Sequence, residues 1–549
     1  MRALLRTISM TGALAAIVYG LSAGSDWSDR RWLQALGLSG LLLLIAWWPG
    51  NTRHFSTFNR STLRLATILL VAFALVSVQL VRVQIVQSSR TLDRQQIAPG
   101  GQVVQNPRDR LDEDAASRGS IFDRNGNVLA EQILDGDDTY RNYPQPAAYG
   151  VTGYYSPALY GSTGIEAAYT EELFGRSAGD PVEEWLDDVL NRDRAGYDLN
   201  LTVDLALQQL AVDLLGDRNG AVVVMDPETG AVLTLAGAPD YDPNRLYTDS
   251  DSSEQRLAEV GAYWREIIAR EDAPLLFRPV DGLYVPGSTF KMLTASAILD
   301  SGVSTAETLY RDEGVLEVDG RVIIEQNRPD ESRVDWTLEE SFAYSLNVVF
   351  ARIGLELGAE GLQEYAERFG IGESPPIAIG AAPSQLAGDE TQLTGNRTLV
   401  ADTAFGQGEL LVTPLQMALI CSAIVNDGEI MEPYLVETVT DTDGGIVEQT
   451  SPSGWKQPIS EQTAEAMRRL MEASAAYGYA SAAQIDGLTV GGKTGTAEVG
   501  DGEPHGWFVG YASDGERSLV TAVIVENGGS GSTSALPIGR DLLASAFGE

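Results

Sequence analysis

The first ninety residues of this chain differ in kind from the other 459, and that difference limits what the whole can fold into. Three apolar stretches, roughly Leu4–Ala23, Trp32–Trp48 and Leu65–Val81, fall before residue 90. Each approaches the ~17–25 residues that a helix needs to cross a bilayer. Arg2 and Arg6 precede or open the first stretch, and Arg53, Arg60 and Arg64 separate the second from the third. The loop between the first two carries Asp26, Asp29, Arg30 and Arg31, with no net charge. Because cytoplasmic loops collect Arg and Lys, the N-terminus and the second loop read as cytoplasmic. Three crossings then carry everything after about residue 90 to the extracytoplasmic side of the cell membrane. A cleaved signal peptide is the alternative for the first stretch, and it would leave two further spans to orient unaided.

The charge follows the same division. Residues 1–90 hold nine Arg and two Asp, a net charge of about +7, so the remainder carries about −46 of the total of −39. A surface this acidic repels phosphates, and no nucleic-acid partner is expected. A single cysteine, Cys421, allows no internal disulfide and sits in an apolar run that reads as a buried helix. Only two histidines occur, His54 and His505, which argues against a metal centre or a histidine charge relay. No cofactor is implied.

Three units are expected: membrane helices over 1–87, a juxtamembrane connector with a second unit over 88–200, and a third unit over 201–549. Arg118-Gly-Ser-Ile-Phe-Asp-Arg-Asn-Gly126 combines a short strand with an Asn-Gly turn. Residues 130–200 read as loop-rich, with one helix around Ile165–Phe174. Gly220–Asp226 and Ala231–Ala236 are apolar strands joined by the turn Pro227-Glu-Thr-Gly230. Helices are expected at about 289–300, 338–356, 360–369 and 414–426, the last with Thr413 as N-cap and Pro414 at its first position. Strands return at Leu488–Glu498, Trp507–Tyr511 and Leu519–Glu526. Two strands, a helical block and three strands predict an α+β fold, one antiparallel sheet covered by helices.

Lysine is the informative residue. Of 38 basic residues only Lys291, Lys456 and Lys493 are lysines. Arginine stays protonated, whereas a buried lysine can lose its proton and act as a base, so a surviving lysine marks a place that arginine cannot fill. Lys291 closes Ser288-Thr-Phe-Lys291, just after Pro286-Gly287 and at the start of an apolar helix. That spacing sets the Ser288 hydroxyl and the Lys291 amine one turn apart on one face. Helix-terminal amides are available there for an oxyanion. A capping serine followed by a solvated lysine would give the same letters. Lys493 opens Lys493-Thr-Gly-Thr496 on a glycine-rich strand, where a cation beside two hydroxyls suits a carboxylate. The third piece is Ser345-Leu-Asn347, which taken alone is also explained by capping.

The order of these pieces, with Ser345 57 residues after Ser288 and Lys493 148 further on, resembles the penicillin-recognising serine enzymes. The resemblance extends over roughly 110–549. Arg118-Gly-Ser-Ile-Phe-Asp-Arg124, Gly406-Gln-Gly408 and His505-Gly-Trp-Phe-Val-Gly-Tyr511 are similar to further signatures of class B penicillin-binding proteins. It implies a penicillin-binding, β-lactamase-like transpeptidase domain with a five-stranded antiparallel sheet flanked by helices, after an elongated non-catalytic domain. It implies a peptidoglycan D,D-transpeptidase of the elongation or division type, with stem peptides as substrates and β-lactams as inhibitors. Ser288 is then the nucleophile, Lys291 its base, Ser345 a proton relay and Asn347 a peptide-orienting residue. Lys493, Thr494, Gly495 and Thr496 bind the substrate, and the backbone N–H groups of Ser288 and Thr496 form the oxyanion hole. The implied partner is a polytopic membrane glycosyltransferase of the shape, elongation, division and sporulation family. Three spans exceed the single anchor usual in that class. A β-lactamase or D,D-carboxypeptidase shares the motifs, and a membrane β-lactam sensor is the reading from a different class.

Overall fold

The structure, a computed structural model, describes residues 2–22, 29–49, 54–82, 96–97, 103–104, 118–135, 138–175, 195–249, 252–388, 393–500 and 502–548. The connector expected from residue 88 to 117 lies outside these residues, apart from a pairing of Gln96–Ile97 with Val103–Val104. The chain divides into two compact units, Met1–Asp114 and Ala115–Glu549.

The first unit is built from α1 (Arg2–Ser22), α2 (Asp29–Trp47) and α3 (Thr57–Val81). Two polar contacts link its helices: Trp32 Nε1 donates to Gln79 Oε1 at 2.6 Å, and Ser39 Oγ donates to the Ala13 carbonyl at 3.3 Å. Leu14, Phe58 and Phe73 stand exposed on the outside. Among the described residues one helix, Thr57–Leu80, is long and apolar enough to cross a membrane, with a mean hydropathy of 2.1. The other two apolar segments, Leu4–Tyr19 and Arg31–Trp47, are shorter.

In the second unit the elements that build the site begin with β1 (Ile121–Phe122), β2 (Val128–Asp135), β3 (Asp138–Asn142) and β4 (Asp198–Leu201). Then come α4 (Leu205–Leu215), β5 (Gly220–Met225), β6 (Val232–Ala238) and α5 (Lys291–Asp300). A hairpin of β7 (Val315–Val318) and β8 (Arg321–Ile324) precedes α6 (Leu338–Ala343), α7 (Asn347–Arg368) and α8 (Pro414–Val425). The chain closes with β9 (Val436–Thr440), β10 (Ile446–Gln449), α9 (Glu461–Tyr477), β11 (Thr489–Ala497), β12 (His505–Ser513), β13 (Ser518–Val525) and α10 (Leu536–Phe547).

The central sheet has five antiparallel strands in the order β6-β5-β13-β12-β11. The unbroken apolar run of β5 follows from burial on both faces. Ala221, Val223 and Met225 join the core that holds α8, while Val222 and Val224 join a second core with Leu215 of α4 and Leu536 and Leu542 of α10. Cys421 is fully buried in α8, as expected of that run. Thr413 caps the helix by accepting from the Gln416 amide at 3.1 Å, with Pro414 next to it.

A second sheet, in the order β10-β9-β4-β1-β2-β3, joins strands from 121–201 with strands from 436–449. The boundary expected at residues 200/201 therefore falls inside a strand of this sheet. Its neighbouring core is tied by Glu166, whose carboxylate meets Arg118 at 2.7 Å and Arg141 at 2.6 Å, all three buried.

Two local expectations need correction. The helix expected at Ile165–Phe174 is two short helices, Gly164–Ala168 and Thr170–Leu173, and the stretch read as loop-rich contains the β2–β3 hairpin. The helix expected over 338–356 is broken between α6 and α7. Ser345 sits at the break with φ +59°, a left-handed conformation that no helix interior accommodates.

Candidate active site

Ser288 lies in a single 3-10 turn, Gly287–Phe290, that runs into α5. It is partly exposed, whereas Gly287 before it and Thr289, Phe290 and Lys291 after it are buried. The turn is held from three sides. Thr289 Oγ1 donates to the Pro286 carbonyl at 2.8 Å, and the Trp507 indole of β12 donates to the Val285 carbonyl at 3.0 Å. Gly287, at φ +55°, abuts β11 so closely that a Cβ there would lie 2.7 Å from the Thr496 carbonyl oxygen. The loop Gly406-Gln-Gly408 closes the third side. A Cβ on Gly406 would come within 1.7 Å of the Gly287 carbonyl oxygen, so only glycine fits.

Lys291, the first residue of α5, has no exposed surface. Its Nζ donates to the Ser345 carbonyl at 2.7 Å, to Ser345 Oγ at 3.1 Å and to Asn347 Oδ1 at 2.8 Å. These bonds explain the left-handed Ser345. A continuous helix would hold that carbonyl along the helix axis, whereas the break turns it to the amine and leaves Asn347 to open α7. Burial pulls the Lys291 pKa down to about 7, against an opposing pull from the Glu325 carboxylate. An amine poised there is neutral in a large fraction of molecules near pH 7. The bond expected between Lys291 and Ser288 is not made. Among the described residues Ser288 Oγ has no hydrogen-bond partner, and the amine instead joins the first motif to the second.

Lys493 of β11 is also fully buried, and its Nζ donates to the Thr494 carbonyl at 2.9 Å. Burial, and then the neighbouring Lys291, push its pKa well below the usual lysine range. Strand alternation sends Lys493 and Gly495 to one side and Thr494 and Thr496 to the other. Thr494 is nearly buried and Thr496 is exposed. The three motifs thus meet where the turn bearing Ser288, the break between α6 and α7, and the edge strand β11 converge. A cavity of about 560 Å³ beside Tyr154, Asp240, Trp264 and Phe277 contains none of these residues.

Two neighbours carried no signal in the sequence. Glu325, just after β8, accepts from the amides of Gln326 and Asn327 at 3.0 Å each and from the Val348 amide at 2.9 Å. Asn327 Nδ2 donates to the same Ser345 carbonyl that Lys291 uses, at 2.9 Å. No motif spacing reaches across the residues that separate them from Ser288. His505 sits opposite Ala497 in the β11–β12 pairing, where its Nδ1 accepts from the Asn527 amide at 3.0 Å.

Residues 220–544 match the penicillin binding protein transpeptidase domain, and residues 118–199 match the penicillin binding protein A dimerisation domain. This chain belongs to the penicillin-binding protein family. The peptidoglycan D,D-transpeptidase PbpA of Mycolicibacterium smegmatis is 34% identical over 470 residues, covering 81% of this chain and 92% of the relative. The peptidoglycan D,D-transpeptidase MrdA of Escherichia coli is 29% identical over 419 residues, 68% of this chain and 62% of the relative. Among solved structures, penicillin-binding protein A from M. tuberculosis as its imipenem acyl-enzyme complex is similar with a TM-score of 0.72. That structure is 29% identical and covers 80% of this penicillin-binding protein and 100% of its own chain.

Proposed function

We propose that this penicillin-binding protein is a membrane-anchored peptidoglycan D,D-transpeptidase whose nucleophile is Ser288. It is a serine acyltransferase, as expected from the three motifs, and its relatives bear the transpeptidase name. The observation that carries the assignment of residues is the buried Lys291 amine, bonded to Ser345 and Asn347 and one turn from Ser288.

In the acylation step Ser288 Oγ attacks the carbonyl between the last two D-Ala residues of a stem peptide, and its proton passes to neutral Lys291. The backbone N–H groups of Ser288 and Thr496 take the charge on the carbonyl oxygen. The C–N bond breaks, and the departing amine receives its proton through Ser345, leaving a Ser288 ester and free D-Ala. Asn347 orients the peptide; of the substrate-binding residues Lys493, Thr494, Gly495 and Thr496, Lys493 supplies positive charge and Thr494 and Thr496 contact the terminal carboxylate. In the second step an amine of a neighbouring stem peptide attacks the ester, forms the cross-link and loses a proton as Ser288 Oγ recovers one. β-Lactams enter by the first step and remain as the Ser288 acyl group.

The helices α1, α2 and α3 anchor the chain by three crossings, with residues 201–549 as the catalytic domain and 88–200 as the connector and non-catalytic pedestal on the extracytoplasmic side. Support comes from the outward apolar faces and the arginine distribution. Cross-linking needs glycan strands made elsewhere, so the partner is a polytopic membrane glycosyltransferase of the shape, elongation, division and sporulation family.

The test is labelling of the detergent-solubilised protein with a fluorescent penicillin, with Ser288→Ala beside wild type. A covalent band in wild type alone, persisting for hours, is the expected result. Rapid loss of the band with release of hydrolysed penicillin would make the protein a β-lactamase instead. A folded wild type that takes no label would end the enzymatic reading.

A further inference from the structure

The residues Glu325 to Asn327, at the exit of the β7–β8 hairpin, grip the segment Ser345–Val348 at two points. Glu325 Oε2 accepts from the Val348 amide at 2.9 Å, which caps the N-terminal end of α7 beside Asn347. Asn327 Nδ2 bonds the Ser345 carbonyl at 2.9 Å, the acceptor that also receives Lys291 Nζ at 2.7 Å. Glu325 Oε1 is taken up by its own turn, through the Gln326 and Asn327 amides. The carboxylate is 9% exposed and has no cation bonded to it among the described residues. The positive group it faces is the Lys291 amine.

We propose that Glu325 is a positioning residue for Ser288 acylation: its carboxylate braces the Ser345–Asn347 turn and faces Lys291 with the negative charge that sets the pH range of the reaction. Asn327 is the second brace and carries no charge. The proposal rests on the reading of Ser288 as nucleophile and Lys291 as its base.

The groups around the pair fix the sign. Burial and then the carboxylate of Glu325 from the β8 exit act on Lys291, and Lys291 in turn acts on the Lys493 amine of β11. Burial raises the Glu325 pKa, Lys291 and the Val348 and Asn327 amides oppose it, Asp312 adds to it, and the Tyr479 hydroxyl also feels the Glu325 charge. Burial drives the proton off Lys291 and Glu325 holds it there. Removing the Glu325 charge therefore lets Lys291 lose its proton at lower pH, and the acidic limb of acylation moves downward.

The second-order rate of labelling by a fluorescent penicillin is measured against pH for the full chain in detergent. Wild type, Glu325→Gln, Glu325→Asp and Asn327→Ala are compared, with thermal melting as the check of folding. Glu325→Gln should move the acidic midpoint down by about one pH unit. Glu325→Asp should restore a midpoint near wild type, and Asn327→Ala should slow labelling about tenfold at every pH without moving it. A folded Glu325→Gln protein with an unmoved midpoint overturns the proposal. If Glu325→Gln does not fold, the reading passes to Glu325→Asn against Glu325→Asp, the same pair one methylene shorter: a lower midpoint in Glu325→Asn supports the proposal, and equal midpoints overturn it. Wild type without label at any pH would instead remove the assignment of Ser288 on which the proposal stands.

Discussion

Lys291 Nζ lies 2.8 Å from Asn347 Oδ1, so two residues 56 positions apart share a proton at the meeting of α5 and α7. The amine is buried and bonded entirely to oxygens, and it has no water-facing side. Such a lysine is held for its proton, since a guanidinium in the same place would never give one up.

Acylation should follow the state of this amine. With the Lys291 pKa at about 7, the neutral base is lost as pH falls, and the labelling rate should drop about tenfold per unit below that value. Stopped-flow or timed gel labelling between pH 5 and 9, a range chosen to bracket the midpoint at about 7, measures the limb. Lys291→Arg should lower the rate by about 10²–10⁴-fold above the wild-type midpoint and abolish the acidic limb. A Lys291→Arg protein that retains the acidic limb would exclude Lys291 as the base.

Lys493 should discriminate by charge on the ligand. Bringing a carboxylate to this buried amine restores its proton, whereas a neutral ester leaves it as it is. Lys493→Met should slow acylation by a penicillin about 10–100-fold, the weight of a hydrogen bond to a charged group. The methyl ester of the same penicillin should be affected far less. Equal losses for both ligands would mean that Lys493 shapes the site without reading the carboxylate.

Gly406→Ala should damage the nucleophile turn from behind. The new methyl would meet the Gly287 carbonyl oxygen at 1.7 Å, on a residue that already has φ +90°. A loss of at least about 1–3 kcal/mol in unfolding free energy is expected, with slower labelling in whatever folds. Gly361→Ala, in α7 with only ordinary contact to Leu357, should be neutral or stabilising by up to about 1 kcal/mol. Denaturant titration of the two variants makes the comparison.

Glu166 tests the region matched to the dimerisation domain. Its carboxylate pairs with Arg118 and Arg141 in full burial, and the two guanidinium groups outweigh burial and hold its pKa below the usual carboxylate value. The stability this gives is complete above the unfolded value of about 4.3 and is lost as pH falls through the lower folded value. Glu166→Ala should lose about 3–5 kcal/mol at neutral pH by leaving two buried cations without their anion. Unfolding followed by circular dichroism at pH 7 and pH 3 should show a gap between wild type and Glu166→Ala that narrows in acid. A gap independent of pH would mean that packing rather than charge is lost.

Local chemistry made much of this legible in the residues themselves. The apolar run at 220–225 requires burial on both faces, Pro414 after Thr413 marks a helix start, and lysine where arginine is otherwise used exposes two positions of the site. Each depends on neighbours within a few residues or on a residue type with one chemical role. The break at Ser345 was not legible, because its left-handed backbone is held by Lys291 and Asn327, which are 54 and 18 residues away. Glu325 was invisible for the same reason, one acid among 77 until folding buries it against Val348 and Lys291. The groups proposed to react are thus picked out by short spacings. Their protonation and orientation come only from the tertiary structure, since burial and long-range hydrogen bonds do not exist until distant segments are packed together.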